Sequence, residues 1–399
     1  MSLTGGGTSN WDKEQEALKT LEDLIAYPSI NPPGQEAEIA RYVAERTGAL
    51  GATVSLQEIR PERFNVLARW TFGPGKNHLL FNTHLDVVPP GQGAWTHDPF
   101  EMSVVDGKAY GRGACDAKGS LASFLTAACI LLRDHRSQLS GTLTLVAVAG
   151  EETGGIGTQH FMGNLSEKPG ATMAVVGEPT GLDVVIAHKG ISRRKVTVRG
   201  KAAHASDPAL GDNAIYKGAR LAIAIETLNS RLSQKSHSLL GSPCVSATVM
   251  RGGVKDNVIP DSCEISIDRR RIPGENRMIL EEEIAEIARS LPGQGRLEYA
   301  IEDLGSDKEP VEVSPDEPIV RLALDAVRQV TGGNPAPAAF VGGTDMPFLV
   351  NVGGIPTVVL GPGYLAQAHT ADEYVYVQQL SRAVDVYLGV ILGALKKGE

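Results

Sequence analysis

Short apolar runs that alternate with helical stretches constrain the fold of this chain more than any other feature. Four of the runs predict buried strands, and these are Leu79–Thr83, Leu143–Val148, Met173–Val176 and Thr357–Leu360. Helical spacing predicts Leu121–Leu132, Gln159–Asn164 and Ile319–Val330, and two more helices within Asp12–Leu50 around a loop at Pro28–Gly34. Alternating strands and helices favour an α/β fold with a doubly wound, mostly parallel sheet.

The pattern changes between His188 and Leu304. In this stretch, strand-like runs and two long helices follow one another in the order β-α-β-β-α-β, which is the ferredoxin-like motif. The predicted elements are Val196–Val198, Asn213–Leu232, Cys244–Met250, Cys263–Asp268, Arg277–Ser290 and Leu297–Ile301. We therefore expect a discontinuous first domain, residues 1–187 and 305–399, and a small α+β domain inserted at 188–304.

Composition and termini exclude several classes of protein. The 399 residues carry 38 Lys and Arg against 47 Asp and Glu, a formal net charge of −9. Such an acidic chain is unsuited to binding a phosphate backbone. No apolar run reaches the ~18 residues of a membrane span, and the N-terminus has no signal-peptide pattern. Four cysteines without a CxxC pair suit a reducing compartment, so we expect a cytoplasmic protein. From the charge and the short apolar runs, we expect that it binds neither nucleic acid nor membranes.

Side chains able to bind metal ions follow each predicted strand of the first domain. In chain order they are His84 with Asp86, Glu151 with Glu152, Glu178, and His369, and Asp116 lies in a glycine-rich turn before a helix. Ligand sites of open α/β sheets form at the carboxyl ends of the strands. One such carboxylate alone has a simpler explanation as a helix cap. Nitrogen and oxygen donors gathered without thiolate suit a hydrolytic zinc site with one or two metal ions.

Motifs for other chemistry are missing from the sequence. There is no GxGxxG fingerprint and no phosphate-binding loop with a GK[ST] end. There is also no G-x-S-x-G elbow for a serine nucleophile. A nucleotide-binding α/β protein is therefore disfavoured.

The segments around the candidate donors resemble the dizinc amidohydrolase family of acetylornithine deacetylase, succinyl-diaminopimelate desuccinylase, aminoacylase and carboxypeptidase G. The matching strings run in the family's order from about residue 81 to 375, and they are NTHLDVVP, W-x-x-x-PFE, YGRGACDAKG, AGEETGGIGT, VGEPT, KAAHAS, GG-x-x-x-NVIPD, IDRRRIPGE and GPGYLAQAHTADEYV. The resemblance implies a zinc-exopeptidase-like catalytic domain with an inserted ferredoxin-like dimerisation or lid domain.

The resemblance also implies a set of metal ligands. His84 and Glu178 would bind one ion, Glu152 and His369 would bind a second, and Asp116 would bridge the two. The peptide bond after Asp116 is expected to be cis. The ions would be Zn²⁺, with Co²⁺ or Mn²⁺ as alternatives, because ligand type constrains the metal without fixing it.

Two further acids at the strand ends receive roles from the resemblance. Asp86 would accept the second ring N–H of His84 and thereby fix its tautomer. Glu151 would be the general base, taking a proton from a water whose pKa the two ions lower. The resemblance, not the spacing, decides which of Glu151 and Glu152 is base and which is ligand.

Five other residues are implied in substrate binding. His204 would act on the scissile carbonyl from the other subunit of a homodimer. Arg270 would pair with the α-carboxylate of the substrate, for which a planar bidentate donor is suited. Asn257, Gly343 and Thr344 resemble polar contacts to substrate.

Together these features predict a metal-dependent amidohydrolase that cleaves N-acyl-L-amino acids. The string GPGYLAQAHTADEYV and a glutamate at Glu178 favour a deacylase, although carboxypeptidase G shares that glutamate. A metallo-exopeptidase of the carboxypeptidase G or dipeptidase type remains an alternative on the same fold. A non-catalytic metal-binding protein is a second alternative, which predicts a lost base or ligand. We also expect a homodimer formed through the inserted domain.

Overall fold

A computed structural model describes residues 12–163, 170–291, 297–305 and 307–397 of the chain. The chain divides into two compact units. The first unit is Met1–Ile186 with Val313–Ala338 and Thr344–Glu399, and the second is Ala187–Glu312 with Ala339–Gly343. The second unit thus runs past the predicted boundary at 304 and takes in a short later segment. Asn164, which ends one predicted helix, lies outside the described residues.

Strands and helices follow one another along the whole of the described ranges. The strands are β1 (Thr53–Arg60), β2 (Arg63–Thr71), β3 (His78–His84), β4 (Ser103–Val105), β5 (Lys108–Tyr110), β6 (Thr142–Val148), β7 (Met173–Val176), β8 (Val185–His188), β9 (Gly190–Arg199), β10 (Ala203–His204), β11 (Cys244–Gly252), β12 (Val258–Ile259), β13 (Ser262–Arg271), β14 (Tyr299–Asp303), β15 (Val311–Glu312), β16 (Ala338–Phe340), β17 (Thr357–Val359) and β18 (Tyr374–Tyr376). The helices are α1 (Lys13–Ile25), α2 (Ala37–Ala49), α3 (Lys118–Ile130), α4 (Ile156–Gly163), α5 (Ala214–Leu232), α6 (Ile279–Ser290), α7 (Pro318–Thr331) and α8 (Val377–Leu395). Among the described helices, none combines the length and apolar character needed to cross a membrane.

A mixed sheet forms the centre of the first unit, with the strand order β1-β2-β6-β3-β7-β17-β8. Its middle strands β6, β3, β7 and β17 are parallel. The hairpin β1–β2 and strand β8 add antiparallel pairs on either side. Helices α3, α7 and α8 pack on the parallel strands, and α2 and α4 pack on the hairpin. The four predicted strands are these four parallel strands, so the predicted α/β class is confirmed.

Burial explains why the parallel strands read as continuous apolar runs. All residues of β3 are buried, as expected for a parallel strand covered on both faces. The ring of Phe81 on β3 stacks on Phe124 of α3 at 4.2 Å and meets the edge of Tyr387 of α8 at 4.9 Å. These aromatic contacts pack one face of the strand against both helices.

The second unit contains a four-stranded antiparallel sheet in the order β11-β13-β9-β14. Alternate residues of β9 and β13, such as Val196 and Ile265, pack with Leu221 of α5 and Ile284 of α6 in one core. The chain order β9-α5-β11-β13-α6-β14 is the predicted β-α-β-β-α-β pattern. The ferredoxin-like fold of the insert is therefore confirmed, while its role in dimerisation or as a lid stays a prediction.

Candidate metal centre

The carboxyl ends of three parallel strands bring candidate donors to one edge of the sheet. His84 is the last residue of β3, and Glu178 follows β7 by two residues. Glu151 and Glu152 come shortly after β6. Because β3 pairs with both β6 and β7 in parallel register, the loops after these strands emerge side by side.

The first group of donors comprises His84, Asp116 and Glu178, all of them buried. Nε2 of His84 lies 3.0 Å from Oδ1 of Asp116 and 3.9 Å from Oε1 of Glu178. One donor atom from each residue lies within 4.8 Å of the others. This group matches the ligand set predicted for the first ion together with the bridging aspartate.

The second group comprises Asp116, Glu152 and His369, again with donor atoms within 4.8 Å of one another. Nε2 of His369 lies 2.9 Å from Oε1 of Glu152 and 3.3 Å from Oδ2 of Asp116. Asp116 therefore turns one carboxylate oxygen to each group, as a bridging ligand does. The peptide bond between Asp116 and Ala117 is cis, as the resemblance implies.

The charges of the two groups fit a pair of divalent cations. Three carboxylates share the centre with two imidazoles, and buried carboxylates are costly unless they are paired or bind a cation. Burial and the nearby acids raise the pKa of Glu152 to about 7. Hydrogen bonds to Asp116 and Glu152 raise the pKa of His369 to about 10. Burial opposes the ionisation of Asp116, but the two histidines outweigh it and lower the pKa of that carboxyl.

Asp86 differs in detail from the prediction. Nδ1 of His84 donates to the main-chain carbonyl of Asp86 at 2.9 Å, whereas the nearer carboxylate oxygen lies 3.6 Å away. The carboxylate instead accepts the main-chain N–H groups of Glu151 and Glu152, both at 3.1 Å, and the amide of Asn31 at 2.8 Å. The tautomer of His84 is thus fixed by the main chain, and the Asp86 side chain holds the loop of the two glutamates.

Two residues around the centre were missed by sequence reasoning. Asn31 lies in the proline-rich loop before α2 and bonds both Asp86 and the hydroxyl of Thr153. Glu373 is buried and accepts N–H groups from the loop that carries Asp116. The only signal for Glu373 is its place within the matched string HTADEYV, and Asn31 has no such signal.

The second unit places His204 beside Asn257. Strands β10 and β12 pair with His204 opposite Val258, and the carbonyl of Asn257 accepts the N–H of Ala205. Nδ1 of His204 accepts the main-chain N–H of Ser206 at 3.2 Å. In the neutral ring the proton must then lie on Nε2, which makes that nitrogen a hydrogen-bond donor.

Arg270 points away from the arginines on either side of it, as a strand requires. Arg269 and Arg271 are fully buried, and they pair with Glu283 at 3.0 Å and Glu309 at 2.7 Å. Arg270 stays partly exposed and pairs with Asp268 at 2.7 Å. A substrate carboxylate at Arg270 therefore has to compete with Asp268.

The two predicted contacts in the string FVGGTDMPF differ in burial. Thr344 is completely buried, and its hydroxyl accepts the main-chain N–H of Met346 at 3.1 Å. This side chain caps a turn, and the substrate contact predicted for Thr344 stays a prediction. Gly343 is half-buried, against Ile191 and Lys308 of the second unit, and its substrate contact stays a prediction.

Comparisons with known proteins agree with this architecture. The model of peptidase family M20/M25/M40 matches residues 80–393. Acetylornithine deacetylase of Proteus mirabilis is 31% identical over 373 residues, which cover 90% of this chain and 91% of the relative. Acetylornithine deacetylase of Aliivibrio fischeri is 31% identical over 380 residues, which cover 92% of this chain and 95% of the relative. The solved M20 family metallo-carboxypeptidase Sso-CP2 of Sulfolobus solfataricus shares the fold at a TM-score of 0.78 and 21% identity, with 94% and 98% covered.

Proposed function

The chain belongs to peptidase family M20/M25/M40, and on that premise we propose that it is a metal-dependent amidohydrolase acting on N-acyl-L-amino acids. The observation that carries the proposal is the pair of donor groups that share Asp116. Glu151 is 8% exposed and directly precedes Glu152 on the loop after β6. A buried acid next to a ligand of a two-cation site is suited to act as a base.

The side chains divide the work of amide hydrolysis between them. Two bound divalent cations would lower the pKa of a water and stabilise negative charge on the attacked carbonyl. Glu151 takes the proton of the attacking water and later delivers it to the leaving amine. Asp86 fixes the position of Glu151, since its carboxylate accepts the N–H of that residue.

His204 is proposed to polarise the scissile carbonyl. Its Nδ1 is occupied by the N–H of Ser206, so the neutral ring presents an N–H at Nε2. A hydrogen bond from this donor strengthens as the carbonyl oxygen becomes negative. Arg270 is proposed to bind the α-carboxylate, with Asn257 and Gly343 as further contacts.

The class of substrate rests on the curated relatives. Both are acetylornithine deacetylases, and each aligns over about nine-tenths or more of both chains. An N-acyl amino acid with an amine-bearing side chain is therefore the first substrate to test. The acyl group itself is selected by a few loop side chains, so related acyl groups belong in the same test.

We propose Zn²⁺ as the working metal, with Co²⁺ and Mn²⁺ as alternatives. The donors are imidazole nitrogen and carboxylate oxygen, a set that zinc uses in hydrolytic sites. Metal analysis of the purified protein tests this choice, and two ions per chain are expected. A cytoplasmic location is part of the same proposal, since all four cysteines are free thiols and thiols persist in a reducing compartment.

We further propose that the chain forms a homodimer through the second unit. Strand β11 lies at the edge of the four-stranded sheet and exposes Val249 and Met250. Helix α5 exposes Ile223 and Tyr216, which are 63% and 65% accessible. An uncovered edge strand beside exposed apolar side chains suits a self-complementary interface with a second copy. His204 would then serve the centre of the partner subunit.

Release of free amine tests the activity directly. The Zn²⁺-loaded protein is given N-acetyl, N-succinyl and N-formyl amino acids, dipeptides and acyl-glutamates, each with and without a chelator. Cleavage of one N-acyl class that the chelator abolishes is the expected result. Cleavage of dipeptides alone would instead indicate an exopeptidase. A protein that binds two ions and cleaves nothing would contradict the proposed hydrolysis of N-acyl amino acids.

A further inference from the structure

A buried carboxylate behind the candidate metal centre makes an unusual number of contacts with one loop. Glu373 lies four residues after His369 and is 1% exposed. Its Oε1 accepts the main-chain N–H groups of Gly113, Cys115 and Asp116 at 3.0 to 3.1 Å. Its own carbonyl accepts a fourth N–H, from Gly111 at 2.9 Å.

The second oxygen of Glu373 is occupied as well. Oε2 accepts a hydrogen bond from Nη1 of Arg112 at 2.5 Å, and Arg112 is as buried as its partner. The guanidinium also lies over the ring of Trp95, 5.0 Å from its centre. With both oxygens bound to donors, Glu373 is placed neither to bind a cation nor to act as a base.

The loop bound by Glu373 has a conformation that needs such an acceptor. Gly113 has a left-handed backbone with φ of 85°, and a Cβ at this position would come within 2.6 Å of Val87. The loop folds around one oxygen so that three N–H groups converge on it, an arrangement that binds anions. Charge-assisted hydrogen bonds of this kind are about twice as strong as neutral ones.

The contact joins the segments that carry two of the candidate donors. The N–H of Asp116 is bound to Glu373, and the Asp116 carboxylate divides its oxygens between His84 and His369. His369 precedes Glu373 by only four residues. A shift of the Glu373 side chain would therefore move the shared carboxylate relative to His369.

We propose that Glu373 is a positioning residue that sets the geometry of the carboxylate shared by the two cation sites. The inference rests on the proposed metal-dependent function and assigns Glu373 no contact with substrate. Its effect is transmitted through the main chain of Gly113–Asp116. Because outer partners of metal ligands affect affinity, we expect Glu373 to affect cation binding before it affects the chemical step.

Titration with Co²⁺ of the full chain freed of metal tests this inference. The variant Glu373→Gln keeps the size of the side chain but sets an amide N–H₂ group against an N–H donor of the loop or of Arg112. We expect Co²⁺ binding about 10- to 100-fold weaker at one or both sites. The visible absorption of the bound Co²⁺ is also expected to change, since it reports ligand geometry.

Glu283→Gln is the matched control. Glu283 pairs with the buried Arg269 in the second unit and is itself largely covered, and the change removes the same charge from the same kind of partner. This variant is expected to melt at a lower temperature while binding Co²⁺ as the wild type does. A loss of Co²⁺ affinity in Glu373→Gln alone would support positioning, because general destabilisation affects both variants.

A folded Glu373→Gln protein with wild-type Co²⁺ affinity and spectrum would overturn the inference. Should that variant not fold, Glu373→Asp is judged by the same criteria, since it keeps the charge but shortens the side chain by one methylene. Failure of the proposed function looks different. A wild-type protein that takes up no Co²⁺ would remove the premise of both proposals.

Discussion

At the scale of single residues, the candidate centre depends on carboxylates that accept main-chain N–H groups as much as on those that face a cation. Asp86 holds the loop of Glu151 and Glu152, and Glu373 holds the loop of Asp116. Each is 1% exposed. A buried acceptor of this kind fixes the ligand loops before a cation arrives, which lowers the cost of ordering them.

Replacement of the proposed base separates catalysis from metal binding. We expect Glu151→Ala to retain both metal ions and to lose amine release by about 100-fold or more, because only proton transfer is removed. Metal content and turnover are measured on the same preparation. Loss of an ion in this variant would show that Glu151 is the ligand and Glu152 the base.

A second residue-scale prediction concerns Asp86. Asp86→Asn sets an amide N–H₂ group against N–H donors of the Glu151–Glu152 loop or of Asn31. We expect turnover to fall about 10- to 100-fold with little change in KM, since no substrate contact is lost. Steady-state kinetics measures the split. A large rise in KM with unchanged kcat would point to a role in substrate binding instead.

At the scale of elements, the carboxyl ends of the parallel strands carry the candidate donors, whereas the edge strand of the second sheet presents an exposed surface. The carboxyl ends of β3, β6 and β7 carry donors, because parallel pairing brings their loops to one edge of the sheet. The edge strand β11 carries no donor, and its residues from Ser246 to Gly252 are all exposed. Such a surface is a liability unless another chain covers it.

Disruption of the α5–β11 surface tests the proposed dimer. Ile223→Glu places a charge at an exposed apolar position of α5, so we expect a folded monomer that has lost turnover. Light scattering and amine release are measured together. Lys195→Glu is the control. It changes a charge on β9, which β13 separates from β11 in the sheet, and it should stay dimeric. A monomer with full activity would contradict the role of His204 in the partner's site.

At the scale of the whole molecule, two units with separate cores make up the chain. The core of the first unit includes a buried histidine outside the candidate centre. His78 lies at the start of β3, and its ring is 2.9 Å from the hydroxyl of Thr144. Burial lowers the pKa of His78 to about 4 from 6.5.

Because the pKa of His78 is lowered in the folded protein, we expect the protein to lose stability in mild acid. Between pH 6.5 and 4 the unfolded chain binds a proton at His78 that the folded chain does not, so stability falls as the pH falls. Its contribution to the free energy of unfolding should drop by about 1 to 2 kcal/mol between pH 6.5 and 5. Urea denaturation of the wild type and of His78→Gln measures the difference. An equal pH dependence in both proteins would contradict the prediction.

The sequence by itself determined the α/β class, the β-α-β-β-α-β insert and the strand ends at which donors gather. Local periodicity predicts these features, because it depends only on residues a few positions apart in the sequence. The five donors that the structure brings together are the five ligands that the family resemblance implies. The hairpin β1–β2 and the extent of helix α8 were not among the predictions.

Only the tertiary structure decided what the buried polar groups contact. Glu373 meets the N–H of Gly113 across 260 positions of sequence, and Asn31 meets Asp86 across 55. The burial of Thr344 and the pairing of Arg270 with Asp268 also became clear only in the tertiary structure. No local pattern encodes such contacts, because a buried acceptor takes whichever N–H groups the path of the chain brings to it.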